Sequence, residues 1–316
     1  MNNMSTCNQS KITEFLLLGF SATHPLKVLL FSVFLVIYIM TLGVNLIIIA
    51  LYLRSHRLRS PMYFFLSNLS ATDILLSTSV GPNLLCTFLK GGNPMSVSAC
   101  VTQFFAYGAF TAVECFLLTV MAYDRYLAIC KPLHYVTIMT NKHCLQLVIW
   151  SWLGILLLSV PITVMISHSG FCGCNILDYI YCDFAPLLKV SCSFFFYVNT
   201  MATIIVTLVT VLVLLLPLSV VIRTYVCISL TILNISTKTG KQKAFSTCGS
   251  HLTVVCAYYG ILISKYTFSS KGQSITVNKL TSLLYTLVTP LFNPIVYSFR
   301  NQEIQNSLCK LISVRL

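Results

Sequence analysis

Seven apolar runs, at residues 26–53, 62–88, 99–129, 145–166, 195–222, 244–264 and 280–298, constrain this chain more than any other feature. Each is long enough to cross about 30 Å of hydrocarbon at about 1.5 Å rise per residue. With 57% hydrophobic and only 9% charged residues, the chain has too few ionic groups to solvate a water-facing surface of its size. In lipid, backbone polar groups must bond within the protein, which leaves helices or closed barrels. Barrel strands alternate over about 10 residues; these runs are twice as long and do not alternate. The expected fold is an all-α membrane protein, a seven-transmembrane helix bundle.

Basic residues set the expected orientation, because short cytoplasmic loops collect Lys and Arg. Thirteen of the twenty fall on the side of the even-numbered turns and the C-terminal tail, among them Arg54, Arg59, Arg125, Lys131, Lys142, Arg223, Lys238, Lys241 and Lys310. That side is expected to be cytoplasmic, with the N-terminus outside and the chain in the plasma membrane. The net charge of +13 then reads as anchoring to anionic lipid headgroups. No clustered basic patch points to nucleic acid. No cleavable signal is evident, so the first span is expected to direct its own insertion. The sequons at Asn3 and Asn8 lie on the outer tail and are candidate glycosylation sites. Those at Asn68 and Asn234 fall in a span and on the inner side.

Of fourteen cysteines, six lie outside: Cys7, Cys100, Cys172, Cys174, Cys182 and Cys192. The others behave as small apolar residues or reduced thiols. A loop of nearly thirty residues with this many thiols is expected to be tied down over the bundle. Six cysteines allow fifteen pairings, and spacing does not choose among them.

The third span carries most of the functional information. Counting back from Arg125, Glu114 is eleven residues away, Thr111 fourteen and Tyr107 eighteen, all near whole multiples of 3.6, so they share one face. Tyr107 should stand about 27 Å above Arg125, with Glu114 near mid-depth. A carboxylate at that depth needs a partner or water. The other mid-membrane acid is Asp73, and no intramembrane Lys or Arg is expected. Two such acids imply a bound cation, such as sodium, or a shared proton; a protonated, hydrogen-bonded pair without an ion fits equally.

Pro290 and Pro294 stand four residues apart on the seventh span. Each removes a backbone donor and crowds the carbonyl one turn back, so this segment should kink and leave polar groups seeking partners. Asn293 and Asn45 are interior polar residues that fit one network with Asp73, or bland helix-to-helix hydrogen bonds. Beyond Tyr297 the chain reads as a short amphipathic helix on the inner leaflet, with Cys309 a weak candidate for palmitoylation. The expected divisions are an outer tail at 1–25, the helical domain at 26–299 and the amphipathic tail at 300–316.

The chain resembles the odorant receptors, a branch of the rhodopsin-like G-protein-coupled receptors. The resemblance rests on Pro61-Met62-Tyr63-Phe64-Phe65-Leu66-Ser67-Asn68-Leu69-Ser70 with Asp73, and on Met121-Ala122-Tyr123-Asp124-Arg125-Tyr126-Leu127-Ala128-Ile129-Cys130 running into Lys131-Pro132-Leu133-His134-Tyr135. It continues through Lys243-Ala244-Phe245-Ser246-Thr247-Cys248-Gly249-Ser250-His251-Leu252 and the proline-rich end of the seventh span. Together, in order and at these separations, they cover nearly the whole chain. One departure is the segment at 193–199, which lacks the acidic pattern usual in the family. The resemblance implies a Cys100–Cys182 bridge, an inner switch at Asp124-Arg125-Tyr126 and Tyr259 at the floor of a ligand pocket; the proline-bent end of the seventh span, with Asn293, Pro294 and Tyr297, is expected from its prolines to be a moving part. Cys172–Cys192 is the further pairing expected, leaving Cys7 and Cys174 free or paired with each other.

The resemblance also implies the partners: a small odorant, membrane lipids and a heterotrimeric G protein with a stimulatory, olfactory-type α subunit that raises cyclic AMP. The pocket is expected in the outer half of the bundle, lined by Tyr107, Thr111, Tyr259, Tyr266 and Thr286, with Asn199 and Phe184 in support. Each tyrosine is equally compatible with ordinary packing. No acid stands on the upper third span to meet a protonated amine, so a neutral hydrophobic volatile is expected. No enzyme activity and no cofactor are expected, since no His and acid share a helix at metal-ligand spacing and lone His251 suits packing or a gating hydrogen bond. A transporter predicts internal repeats and a channel rings of charge or a carbonyl filter; neither pattern is visible.

Overall fold

The computed structural model describes residues 12–21, 23–168, 170–172, 174–192, 196–270 and 275–313, and within them leaves undescribed the side chains at 57, 196–199, 243, 246–247, 266–270, 299–300, 302 and 310–313. Asn3, Asn8 and Cys7 lie outside the described residues, as do the side chains of Asn199 and Tyr266. The end of the bundle that bears the disulfides is called outer below.

Six long helices and one composite account for the seven runs. They are α1 (His24–Arg54), α2 (Pro61–Lys90), α3 (Val97–Cys130), α5 (Asn141–His168), α7 (Phe196–Leu233), α8 (Lys238–Ser270) and a seventh span in three pieces. That span comprises α9 (Ile275–Leu283), a π-helical turn at Leu284–Val288 and α10 (Thr289–Arg300). Shorter helices are α4 (Pro132–Ile138) in the second inner loop, α6 (Phe184–Lys189) in the long outer loop and α11 (Gln302–Ser313) at the C-terminal end.

Five spans among the described residues are long and apolar enough to cross a membrane by themselves. The others, α2 and α8, have 30 and 33 residues but are more polar. In α2 the polar residues face inward, since Ser67, Ser70, Thr72, Asp73, Ser77 and Thr87 are all buried. The hydroxyls of Ser67, Thr72, Ser77 and Thr87 bond back to carbonyls of the same helix, as Ser77 does to Asp73 O at 2.7 Å, so the cost of polar groups in lipid is largely avoided. The lipid-facing side instead carries exposed apolar residues such as Leu29, Val36, Ile39, Leu157, Leu212 and Leu216, the reverse of a water-soluble surface.

Helix α3 packs against α2, α5, α7 and α8 and is the central element. Its interior residues Val113, Cys115, Leu117, Leu118 and Met121 belong to the main apolar core. The helices run past the apolar runs at several ends. Helix α7 continues eleven residues beyond 222, and α8 reaches Ser270. That extension carries Lys265 into the bundle, where only 8% of it is exposed, and Lys279 on α9 is buried as well. The expectation of an interior without basic side chains therefore fails at the outer end, because a helix continues as long as its face is covered, wherever the apolar run stops.

The outer end also holds a small sheet that hydropathy does not reveal. Strand β1 (Glu14–Leu17) pairs antiparallel with β2 (Asn93–Ser96) and parallel with β3 (Ile176–Leu177), in the order β2-β1-β3. Alternation turns Phe15 and Leu17 inward, where they join Met95, Cys100, Leu177 and Cys182 in a second apolar cluster. Just beyond β1, Gly19 adopts φ 64°, and a Cβ there would meet the Thr87 methyl at 2.5 Å; glycine is required on both counts. The buried ammonium of Lys279 donates to Gly19 O at 2.6 Å and pairs with Asp178, fixing this strand and the long outer loop to the seventh span.

Cys100 is bonded to Cys182 and Cys172 to Cys192, with Cα atoms 5.5 and 5.1 Å apart, as expected. Cys174 is disulfide-bonded too. The first bridge ties the long loop to the outer end of α3, and the second closes the loop on itself.

Candidate functional site

Three groups of polar residues lie along α3, one near each end and one between them. In the outer group, Tyr107 meets Tyr181 of the long loop with ring centroids 4.5 Å apart. Lys265 of α8 donates to Tyr107 Oη at 3.0 Å and Tyr181 Oη at 2.9 Å, and pairs with Asp183 at 3.1 Å. Burial holds the pKa of Tyr181 well above the usual phenol value, although the Lys265 ammonium pulls the other way; the hydroxyl keeps its proton.

Below this group the aromatic chain continues. Tyr107 contacts Tyr285 edge-on at 6.2 Å, Tyr285 contacts Tyr258 at 5.7 Å, and Tyr258 contacts Tyr259 at 5.2 Å. Tyr258 donates to Thr111 O at 2.8 Å, and the Tyr259 hydroxyl lies 3.0 Å from the Cys115 thiol. The Thr111 hydroxyl is buried with no hydrogen-bond partner among the described residues. Thr286, in the π-helical turn, bonds back to Ser282 O at 2.9 Å.

Tyr107, Thr111 and Tyr259 are thus brought together through Tyr258 and Tyr285, while the Thr286 hydroxyl bonds only within its own span. Phe184 is not among them: it starts α6 and lines a separate small apolar cavity with Ile166, Phe171, Leu187 and Ala202. Sequence reasoning missed Tyr181, Tyr258, Lys265 and Tyr285. Tyr258 and Lys265 stand seven residues apart, the same two-turn step that joins Tyr259 to Tyr266, so a second face of α8 was legible by the same rule.

At mid-depth, Asp73 and Glu114 are both fully enclosed, and Asn293 bridges them. Its amide donates to Asp73 Oδ1 at 3.1 Å and Glu114 Oε1 at 2.9 Å, while Tyr285 donates to Glu114 Oε2 at 3.0 Å. Asn45 does not join the acids. It donates instead to Pro290 O at 3.0 Å and to Thr41 O at 2.9 Å. The Pro290 carbonyl is the one that Pro294, lacking an N–H, leaves without its helical donor, so Asn45 replaces a missing backbone bond. The side-chain oxygens of Asn45 and Asn293 and the hydroxyls of Thr289 and Tyr297 have no hydrogen-bond partner among the described residues. An oxygen-rich setting of this kind suits a hard cation such as sodium and equally suits water or a proton shared by the acids.

At the inner end, Arg125 Nε donates to Asp124 Oδ2 at 3.0 Å and Tyr135 of α4 donates to Asp124 Oδ1 at 2.8 Å. Tyr126 packs on a small cluster built from Ile228, Ile232 and Cys248, drawn from α7 and α8. His251 of α8 is buried between Leu118 O at 3.0 Å and the Tyr225 hydroxyl at 2.6 Å, so this lone histidine ties α3, α7 and α8 together. Tyr63 of α2 donates to Asn301 Oδ1 at 3.0 Å and Glu303 Oε2 at 2.8 Å. Asn301 Oδ1 in turn accepts the Glu303 N–H at 3.0 Å and so caps α11.

Comparison with known proteins identifies the family. The olfactory receptor family profile matches residues 34–315. The chain is 42% identical over 310 residues to Olfactory receptor 5G3 of Homo sapiens, covering 98% of this chain and 97% of that protein. It is 42% identical over 309 residues to Olfactory receptor 5P55 of Mus musculus, covering 98% of each. Identity to Olfactory receptor 11A1 of Homo sapiens is 39% over 315 residues, covering all of this chain and 98% of that protein. A bundle of apolar spans, bridged at one end and carrying an Asp-Arg ion pair at the other, with a family profile over most of its length, is a multi-pass membrane receptor and not an enzyme: the chain belongs to the olfactory receptor family.

Proposed function

We propose that this receptor takes a small, neutral, hydrophobic odorant into the outer half of its bundle and activates a stimulatory, olfactory-type G protein to raise cyclic AMP. The observation that carries this reading is that one helix, α3, bears the tyrosine group at Tyr107, the buried Glu114 bonded to Tyr285 and Asn293, and the Asp124–Arg125 ion pair, with Tyr107 and Arg125 about 27 Å apart along the axis. Tyr107, Thr111, Tyr259 and Thr286 contact the ligand or support those that do, with Asn199 and Tyr266 in support. The N-terminus is extracellular, with residues 1–25 as outer tail, 26–299 as receptor domain and 300–316 as cytoplasmic tail. Asn3 and Asn8 carry glycans.

Activation needs a ligand that binds one of two states better, since equal affinity shifts nothing. In this account the ligand draws α3 and α8 together at the outer end, Asp124 releases Arg125, and the inner end of α8 swings away. Tyr126, Asn293, Pro294 and Tyr297 accommodate the change, and the opened cleft takes a helix of the G protein. A sodium ion or a shared proton at Asp73 and Glu114 favours the resting state. The test is cyclic AMP accumulation in cells exposed to a panel of volatiles. Wild type is expected to respond to at least one, and Arg125→Ala at equal surface density is expected not to. A full response from Arg125→Ala would contradict the switch.

A further inference from the structure

The outer tyrosine group has hydrogen-bonding capacity that its own residues do not use. An ammonium only donates, so in the contacts of Lys265 with Tyr107 and Tyr181 the phenol oxygens accept. Each phenol therefore keeps a proton to give, and no acceptor for either is found among the described residues. One turn below Tyr107, the Thr111 hydroxyl is buried and unpartnered as well. Unused donors in a buried setting carry a desolvation penalty that an acceptor on a ligand removes.

The charges around the group narrow the ligand class. Lys265 is already paired with Asp183, whose side chain is 20% exposed at the rim. The ammonium also lies 4.9 and 5.5 Å from the Tyr107 and Tyr181 ring centroids, which adds to its retention there. A carboxylate ligand would crowd a second anion against Asp183 around one cation, and an amine would place a second cation beside Lys265. A hydrocarbon would leave the phenol protons unanswered. A neutral oxygen acceptor on an apolar chain meets every condition.

We propose that this receptor selects volatile compounds that carry a neutral oxygen acceptor on an apolar chain, aldehydes and ketones among them, whose oxygen accepts hydrogen bonds from the Tyr107 and Tyr181 phenols. Lys265 acts as a positioning residue that turns those phenols into donors toward the ligand. The inference rests on the ligand-binding role proposed for the outer pocket, and it concerns recognition, so it is read without G-protein coupling.

The experiment measures thermal stabilisation of the purified full-length receptor in lipid nanodiscs by straight-chain aldehydes and 2-ketones of four to twelve carbons. Alkanes, carboxylic acids and amines of matched length are the comparators. The wild type is expected to need at least about tenfold less of its best aldehyde or ketone than of the matched alkane or acid for the same shift. Tyr107→Phe and Tyr181→Phe, each lacking one oxygen, are expected to reduce that preference about tenfold and leave the response to alkane unchanged. Lys265→Met should act in the same direction; where it fails to fold, the two phenylalanine variants carry the test. Acids or alkanes matching the carbonyl compounds, no stabilisation by any carbonyl compound, or a preference intact in the Tyr107→Phe/Tyr181→Phe double variant would overturn the inference. Selective stabilisation with no cyclic AMP response would uphold it and count against the coupling alone.

Discussion

Glu114 shows how much a single buried acid depends on its donors. Tyr285 and Asn293 each supply one hydrogen bond to it at mid-depth. Removing either leaves an enclosed acceptor unmatched, at a cost of about 1–3 kcal/mol. Tyr285→Phe and Asn293→Ala are therefore each expected to lower the melting temperature of the purified receptor by several degrees. An unchanged midpoint in both would mean that water replaces the lost donors without penalty. The shared face of Tyr107, Thr111, Glu114 and Arg125 was legible from spacing alone, because helical period fixes which residues line up along one axis. Partners across helices were not. Asn45 lies in the interior as expected, yet its target is the Pro290 carbonyl and not Asp73, a choice made by how α1 and the seventh span cross.

At the scale of elements, the seventh span departs most from a regular helix. A π-helical turn at Leu284–Val288 precedes Pro290 and Pro294, and such turns and prolines are the usual causes of helix bending. The bond from Asn45 to Pro290 O gives this irregularity a measurable consequence. In the wild type, Asn45→Ala leaves that carbonyl bare and is expected to destabilise by about 1–3 kcal/mol. In a Pro294→Ala background the new backbone N–H supplies the missing donor, so Asn45→Ala should cost less. A double-mutant cycle on thermal stability is expected to give a coupling of about 1 kcal/mol; additivity within error would show that Asn45 does not stand in for the backbone. The proline spacing announced a weak helix from sequence, and its π-turn carried no such mark. Helix ends were legible only as apolar limits: the run at 244–264 stops one residue short of Lys265, while the helix that buries it continues to Ser270. Strand β1 was hidden for a related reason. Four residues give little periodicity, and their partners lie about 80 and 160 residues downstream.

Across the whole molecule, two ends with different chemistry are joined by one central helix. The outer end is covalently bridged, capped by a strand and held by the buried lysines Lys265 and Lys279. The inner end is held by hydrogen bonds and one ion pair, at Asp124, Arg125, Tyr135, Tyr225 and His251. A bridged end suits a fixed binding surface, and an end held by exchangeable contacts suits movement. In the proposed function, seven spans place the termini on opposite faces of the membrane, so that an odorant met on one side acts on a protein met on the other. Epitope tags at the two ends of the full-length chain, stained on intact and then on permeabilised cells, test that claim most directly. The N-terminal tag is expected to stain on intact cells and the C-terminal tag only after permeabilisation. Staining of both tags on intact cells, or of the C-terminal tag alone, would contradict the account.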